Sequence, residues 1–177
     1  MEKKVLILAG SPRTGGNSDL LCDAFAKGAQ EAGHKVTKIY VQKQKIAHCL
    51  ACYGCRSTGT CVQKDDMQSI LPQMLEADII VLATPVYFYS MSGQLKTLID
   101  RTLPQWLNIK DKEFYFIATA ADKKEGLEST MIALKGFTDC LPGAVVNGRI
   151  YGHSVYAKGE VLNTPAMDEA YKMGKSC

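Results

Sequence analysis

The chain has 177 residues, 46% of them hydrophobic and 22% charged, with a formal net charge of +3. That length suits one domain over residues 1–177, able to bury roughly 70% of its unfolded surface. The scattered lysines form no basic stripe for nucleic acid, and no run reaches the ~18 apolar residues of a membrane span. The first expected strand is Lys4–Ala9, followed by the polar turn Gly10–Ser18. Ser18–Ala32 places Leu21, Ala24, Phe25, Gly28, Ala29 and Ala32 on one helical face, and Gly33 ends it. Lys35–Val41 alternates and is the second strand; residues 42–64 form a cysteine-rich loop. Asp65–Ala77 is a helix, with Asp65 as N-cap and Gln68 completing a capping box. Ile79–Ala83 is apolar on both faces, as in the interior of a parallel sheet. Thr84–Met91 is a loop, and Ser92 caps a helix that aligns Leu95, Leu98, Ile99 and Thr102 before Pro104. Glu113–Ala120 is the fourth strand, Gly126–Leu141 a helix and Ala144–Tyr151 the fifth strand. Thr164 and Pro165 open the last helix.

Five strands alternating with five helices predict an α/β fold, a parallel sheet with helices on both faces. The strand order 2-1-3-4-5 would open a crevice between strands one and three, at their C-terminal ends. Loops 10–18 and 84–91 enter that crevice, with 119–126 beside them. The apolar run after Lys3-Lys4 is too short for an export signal, so the chain reads as cytoplasmic. Its seven cysteines are then thiols, metal ligands or redox groups rather than structural disulfides.

Strand, polar turn and helix is the order that builds an anion site, from turn N–H groups and the positive end of the helix. Arg13 adds a full positive charge, and a guanidinium can grip a phosphate through two parallel hydrogen bonds. Ser11, Thr14, Asn17 and Ser18 add short donors. A nucleoside-triphosphate loop would need a lysine at Gly16 and a hydroxyl at Asn17, and Ser11-Pro12 break a dinucleotide fingerprint. In the second loop, Tyr87, Phe88 and Tyr89 cannot all face a core, and a flat conjugated ligand could lie against them. Asp100 and Arg101 read as ion-pair residues, Cys22 and Cys140 as core residues, and the three histidines as surface or capping groups.

Gly10–Ser18 as G-S-P-R-x-x-G-N-S, Thr84–Tyr87 as T-P-V-Y and Met91–Arg101 as M-S-G-Q-L-K-x-x-x-D-R together resemble the NAD(P)H-dependent FMN reductases of the flavodoxin-like superfamily, in particular their iron-sulfur flavoprotein branch. The resemblance covers nearly the whole chain. It implies a flavodoxin-like three-layer sandwich and an FMN site. In that site Ser11, Arg13, Asn17 and Ser18 would hold the phosphate, and Pro85, Val86, Tyr87 and Phe88 would line the isoalloxazine. Thr119, Ala120, Ala121 and Asp122 would border its other edge, although this loop lacks the glycines common in relatives. Trp106 resembles an aromatic that walls the substrate side of related quinone reductases; a core role is the alternative. The flavin takes hydride from NAD(P)H, so no acid or base side chain is assigned. Relatives pair so that a neighbour completes the pocket, which implies a homodimer or homotetramer.

Cys49, Cys52, Cys55 and Cys61 lie within thirteen residues. C-x2-C-x2-C is the ferredoxin-type way to offer three thiolates to one cluster, and the pattern matches the compact motif that binds [4Fe–4S] in the iron-sulfur flavoproteins. Zinc and free thiols, or a labile disulfide, stand as alternatives. Three functions follow: an FMN oxidoreductase passing electrons from NAD(P)H to a quinone, flavin or nitro compound; an iron-sulfur flavoprotein fed by a ferredoxin-like partner; and a non-enzymatic FMN-binding module.

Overall fold

The computed structural model describes residues 1–177. In chain order the elements are β1 (Lys4–Ala9), α1 (Asn17–Glu31), β2 (Lys35–Tyr40), α2 (Cys55–Thr58), α3 (Met67–Glu76), β3 (Ile79–Tyr87), β4 (Ser90–Met91), α4 (Gly93–Asp100), β5 (Glu113–Thr119), α5 (Glu128–Asp139), β6 (Val145–Gly152) and α6 (Ala166–Ser176). Short 3-10 turns precede α5 and α6. Five strands run parallel in the order β2-β1-β3-β5-β6, the flavodoxin-like arrangement. The sixth strand, β4, is an addition to the five expected and pairs antiparallel with the far end of β3.

Alternation along the central strands divides the interior in two. Leu6, Leu8, Ile80, Leu82, Phe114 and Phe116 face α3, α4 and α5. Val5, Ile7, Ala9, Ile79, Val81, Tyr115 and Ile117 face α1 and α6. Because both faces are covered, the middles of these strands, such as Val5–Ala9, Ile79–Ala83 and Phe114–Ala118, are continuously hydrophobic. On the second face, a methyl at Gly28 would overlap the Tyr171 carbonyl oxygen, and one at Gly174 would overlap the Phe25 carbonyl oxygen. Two glycines thus let the backbones of α1 and α6 touch.

Several local expectations change. Asp65 lies one residue before the N-cap position of α3, and Asp66 occupies that position without a side-chain cap. Asp65 still accepts from the Met67 N–H at 3.2 Å, but its main partner is Arg101. A buried guanidinium outcompetes local capping because leaving it unpaired would cost far more than an uncapped N–H. The Thr164 hydroxyl donates back to the Val161 carbonyl and accepts from no N–H of α6, whose N-cap position is Pro165. Cys22 is buried, but Cys140 is exposed at the end of α5, its thiol turned to the Gly136 carbonyl. Ser92 does cap α4, accepting from the Leu95 N–H.

Candidate functional site

Gly10 leaves β1 against β3, its N–H donating to the Ala83 carbonyl at 2.7 Å. A Cβ there would come within 2.8 Å of that oxygen and 2.9 Å of Leu95 Cβ, so the turn can start at this point only with glycine. The Ser92 hydroxyl donates to the Gly10 carbonyl at 2.7 Å, and the Ser92 N–H donates to Thr84 Oγ1 at 2.9 Å. Thr84 and Ser92 thereby lock the first turn onto the segment that follows β3. The loop closes on itself. The Arg13 N–H donates to Ser11 Oγ, the Gly16 N–H to the Arg13 carbonyl, and the Gly15 N–H to Asp19 Oδ2 at 2.6 Å. Asp19 is buried in the first turn of α1 and paired with Lys38 of β2. Burial alone would pull Lys38 down, but hydrogen bonds to Asp19 and Asp23 outweigh it and hold the ammonium above the usual lysine range. The Asp19 charge is therefore matched within the protein.

The turn opens onto a cavity of about 210 Å³ at the C-terminal ends of the strands. It brings Ser11, Arg13, Asn17 and Ser18 together with Pro85, Val86 and Tyr87, and with Thr119, Ala120 and Ala121. Register explains the meeting: Pro85 on β3 lies opposite Thr119 on β5. Ser18 is only 2% exposed as a residue and lines the cavity. Arg13 takes part in none of the chain's ion pairs. A serine hydroxyl, an unpaired guanidinium and the open N–H groups of a helix's first turn can together cradle a phosphate. Tyr87 stands half in solvent on the lip of this cavity.

Two expected residues are not brought there. Phe88 and Tyr89 form the two-residue turn of the β3–β4 hairpin, both at positive φ (49° and 60°), and Phe88 is fully exposed. A type I′ turn needs φ > 0 at both central positions and aims their side chains outward. Asp122 is turned into its own loop, where Oδ1 accepts from the Lys123 N–H. Asn17 lines the cavity, but its amide is engaged by residues 157–161. Val155, Tyr156 and Lys158 also line it and were missed. No motif marks them; the only signal was that the loop after β6 leaves the same end of the sheet. Trp106 is half-buried against the core beside α3–α5.

The cysteine loop sits under α4. Cys49, Cys52, Cys55 and Cys61 all border one small cavity of about 20 Å³, together with Arg101. Ala51 and Tyr53 adopt positive φ (50° and 55°) on either side of Cys52, a conformation that costs non-glycine residues about 1 kcal/mol or more each. No three metal-binding side chains are gathered into a coordination site. Arg101 is 1% exposed and holds the loop's base. It donates to the Ala47 carbonyl at 2.6 Å and to both Asp65 oxygens at 2.7 and 3.0 Å. Its buried Nε has no partner. Burial works to raise the Asp65 carboxyl, but hydrogen bonds from Arg101, Ala47 and Met67 prevail and hold it below the usual range. In contrast, burial pushes the Cys22 thiol up to about 12, which removes it from thiolate chemistry.

The family model described as NADPH-dependent FMN reductase matches residues 3–155. An iron-sulfur flavoprotein of Archaeoglobus fulgidus is 40% identical over 101 residues, covering 57% of this chain and 46% of that protein. One of Methanocaldococcus jannaschii is 35% identical over 136 residues, covering 76% of this chain and 70% of that protein. The chain therefore spans about half the length of the first relative and 70% of the second. An NAD(P)H:quinone oxidoreductase from Methanothermobacter marburgensis shares the fold, with a TM-score of 0.74 at 18% identity over 99% of this chain and 96% of its own. The family match extends across the first turn, both later loops and the sheet that joins them, so the chain belongs to the NADPH-dependent FMN reductase family of FMN oxidoreductases.

Proposed function

We propose that the protein is an FMN-dependent oxidoreductase that passes electrons from NAD(P)H to a small acceptor such as a quinone, flavin or nitro compound. The observation that carries this reading is the convergence of the 11–18, 85–87 and 119–121 segments on one cavity at the strand ends. Bound FMN would supply the hydride and electron chemistry. The chain's own part is position and access. Ser11, Ser18, Arg13 and the first-turn N–H groups of α1 would hold the phosphate. Pro85, Val86 and Tyr87 would line one side of the ring and Thr119, Ala120 and Ala121 the other edge. The apolar walls would exclude water, while the half-exposed Tyr87 leaves one side open to a second ring. A homo-oligomer belongs to the same reading, since the aromatic hairpin tip at Phe88 and Tyr89 is uncovered within one chain. The test is reconstitution with FMN followed by anaerobic addition of NADPH or NADH. Bleaching of the flavin band, and turnover when a quinone is added, are expected. Failure to bind FMN, or a flavin that neither nucleotide reduces, would overturn the reading.

A second reading is favoured by one specific observation: the four cysteines share a single cavity with a buried arginine. The donor set fits a [4Fe–4S] cluster in chemistry, with four thiols and a cationic neighbour for the anionic thiolates. The relatives named as iron-sulfur flavoproteins support it. Such a protein would accept electrons from a ferredoxin-like partner. Anaerobic purification with iron and acid-labile sulfide analysis tests this; a flavin band without iron would sink it.

A further inference from the structure

We propose that Lys158 is a second phosphate-binding cation of the cavity and that Asn17 is the residue that positions it. The inference rests on the reading of this cavity as an FMN site. Residues 155–161 cross the N-terminus of α1 as a strap. Asn17 fastens it with both ends of its amide: Nδ2 donates to the Ala157 carbonyl at 2.9 Å, and Oδ1 accepts from the N–H groups of Gly159 and Val161 at 3.0 and 3.3 Å. These bonds span 140 residues of sequence or more and bracket Lys158. Gly159 is left-handed at φ 91°, and Glu160 folds the strap tighter by accepting from the N–H groups of Tyr156 and Ala157. One Glu160 oxygen is thereby occupied by backbone, and Lys158 forms no ion pair.

The strap sets Lys158 over the phosphate turn. A Cβ at Gly15 would stand 3.0 Å from Lys158 Cε and 3.1 Å from Nζ. Gly15, itself at φ 68°, leaves the room that the lysine fills. Lys158 and Arg13 line the same cavity as Ser18. Two cations without carboxylate partners on one cavity suit it to an anionic ligand. A dianionic phosphate monoester matches that demand, with Arg13 as the planar fork and Lys158 as the point charge. The family match ends at residue 155, so this part of the site belongs to the segment beyond it. Asn17, which the motif suggests as a direct ligand, commits its Oδ1 and one of its two Nδ2 protons to the strap. It acts through the strap.

The experiment compares FMN with riboflavin, which lacks the phosphate. The apoprotein and the variants K158M, K158R, N17A and N17A/K158M are titrated with each flavin by fluorescence. K158M is expected to weaken FMN binding about tenfold and to leave riboflavin within about twofold; K158R should recover most of the loss. N17A should cost a similar factor alone and less than about twofold on top of K158M, a coupling that a merely structural role would not produce. An FMN affinity in K158M within about twofold of wild type overturns the role of Lys158. An N17A loss that is equal in both backgrounds overturns the positioning role of Asn17. Should N17A lose riboflavin too, through misfolding, the K158M and K158R pair alone decides on Lys158. A wild-type protein that binds no FMN overturns the cavity reading itself, whereas wild-type preference for FMN that K158M leaves intact overturns only this inference.

Discussion

The phosphate turn and the cysteine loop are both polar, glycine-punctuated segments, yet they are held in different ways. The phosphate turn is built into the sheet. Gly10 pairs with Ala83, Ser92 bonds the Gly10 carbonyl, and Asp19 closes the turn from the first turn of α1. Every tie comes from an element that the core already fixes. The cysteine loop hangs instead from a buried ion pair and a few side-chain tethers, such as Gln105 to the Gly59 carbonyl at 2.7 Å. A backbone-built site is preorganised for its ligand, whereas a side-chain-tethered loop depends on single residues.

The largest expected effect is therefore at Arg101. R101M strands the Asp65 carboxylate and frees the Ala47 carbonyl, and should cost about 3–5 kcal/mol. Thermal unfolding should fall by roughly 10 °C, while Arg13 and its turn keep their geometry and riboflavin still binds. A variant with unchanged thermal stability would show that the loop does not hang from this pair. The same pair sets an acid limb. The Asp65 carboxyl is depressed in the folded state, so its contribution is present above the unfolded value of about 3.9 and is lost as pH falls through the folded one. Thermal scans between pH 5 and pH 2.5 should show a steeper decline for wild type than for R101M. Parallel curves would break the assignment.

At the other site, Arg13→Ala should leave stability unchanged and weaken FMN by about 30-fold, the worth of roughly 2 kcal/mol of charge-assisted hydrogen bonding. Riboflavin affinity should not move. Equal losses for both flavins would mean that Arg13 shapes the turn rather than binding phosphate. The smallest effect is expected at the hairpin tip. Phe88→Asn with Tyr89→Gly supplies residues suited to two positive φ angles and should stabilise by at most about 1 kcal/mol. FMN affinity should stay within about twofold, as measured by titration. A large loss would return the tip to the flavin site, within one chain or across a homo-oligomer contact that size-exclusion of the variant distinguishes.

The sequence made the sheet order legible because apolar runs such as Ile79–Ala83 have few alternatives to a buried parallel strand. It made the three converging segments legible because strand order dictates where their ends meet. What it hid depends on competition between partners. Asp65 carries the pattern of an N-cap, and only the tertiary position of Arg101, 36 residues away, redirects its carboxylate. Asn17 carries the pattern of a ligand, yet a strap 140 residues later claims its amide. Phe88 lies in an aromatic run that suggests stacking, but a two-residue turn points it outward. In each case the residue type was informative about chemistry, and the partner could come only from the fold.

The glycine contact between α1 and α6 has a consequence for the order in which the site is made. β1, the phosphate turn and α1 leave the ribosome early. Phe25 of α1 packs on Tyr115 of the sheet, but the strip around Gly28 stays uncovered until Tyr171 and Gly174 of α6 arrive. The strap that Asn17 fastens belongs to the same late segment. Long-range closure of this kind is slow and comes after the local elements have formed. A nascent chain halted before residue 157 would carry the complete motif of the first turn, without the strap that Asn17 fastens and without Lys158. A cavity begun by residues 10–18 is thus closed by residues 155–161, so segments from opposite ends of the fold meet at one place.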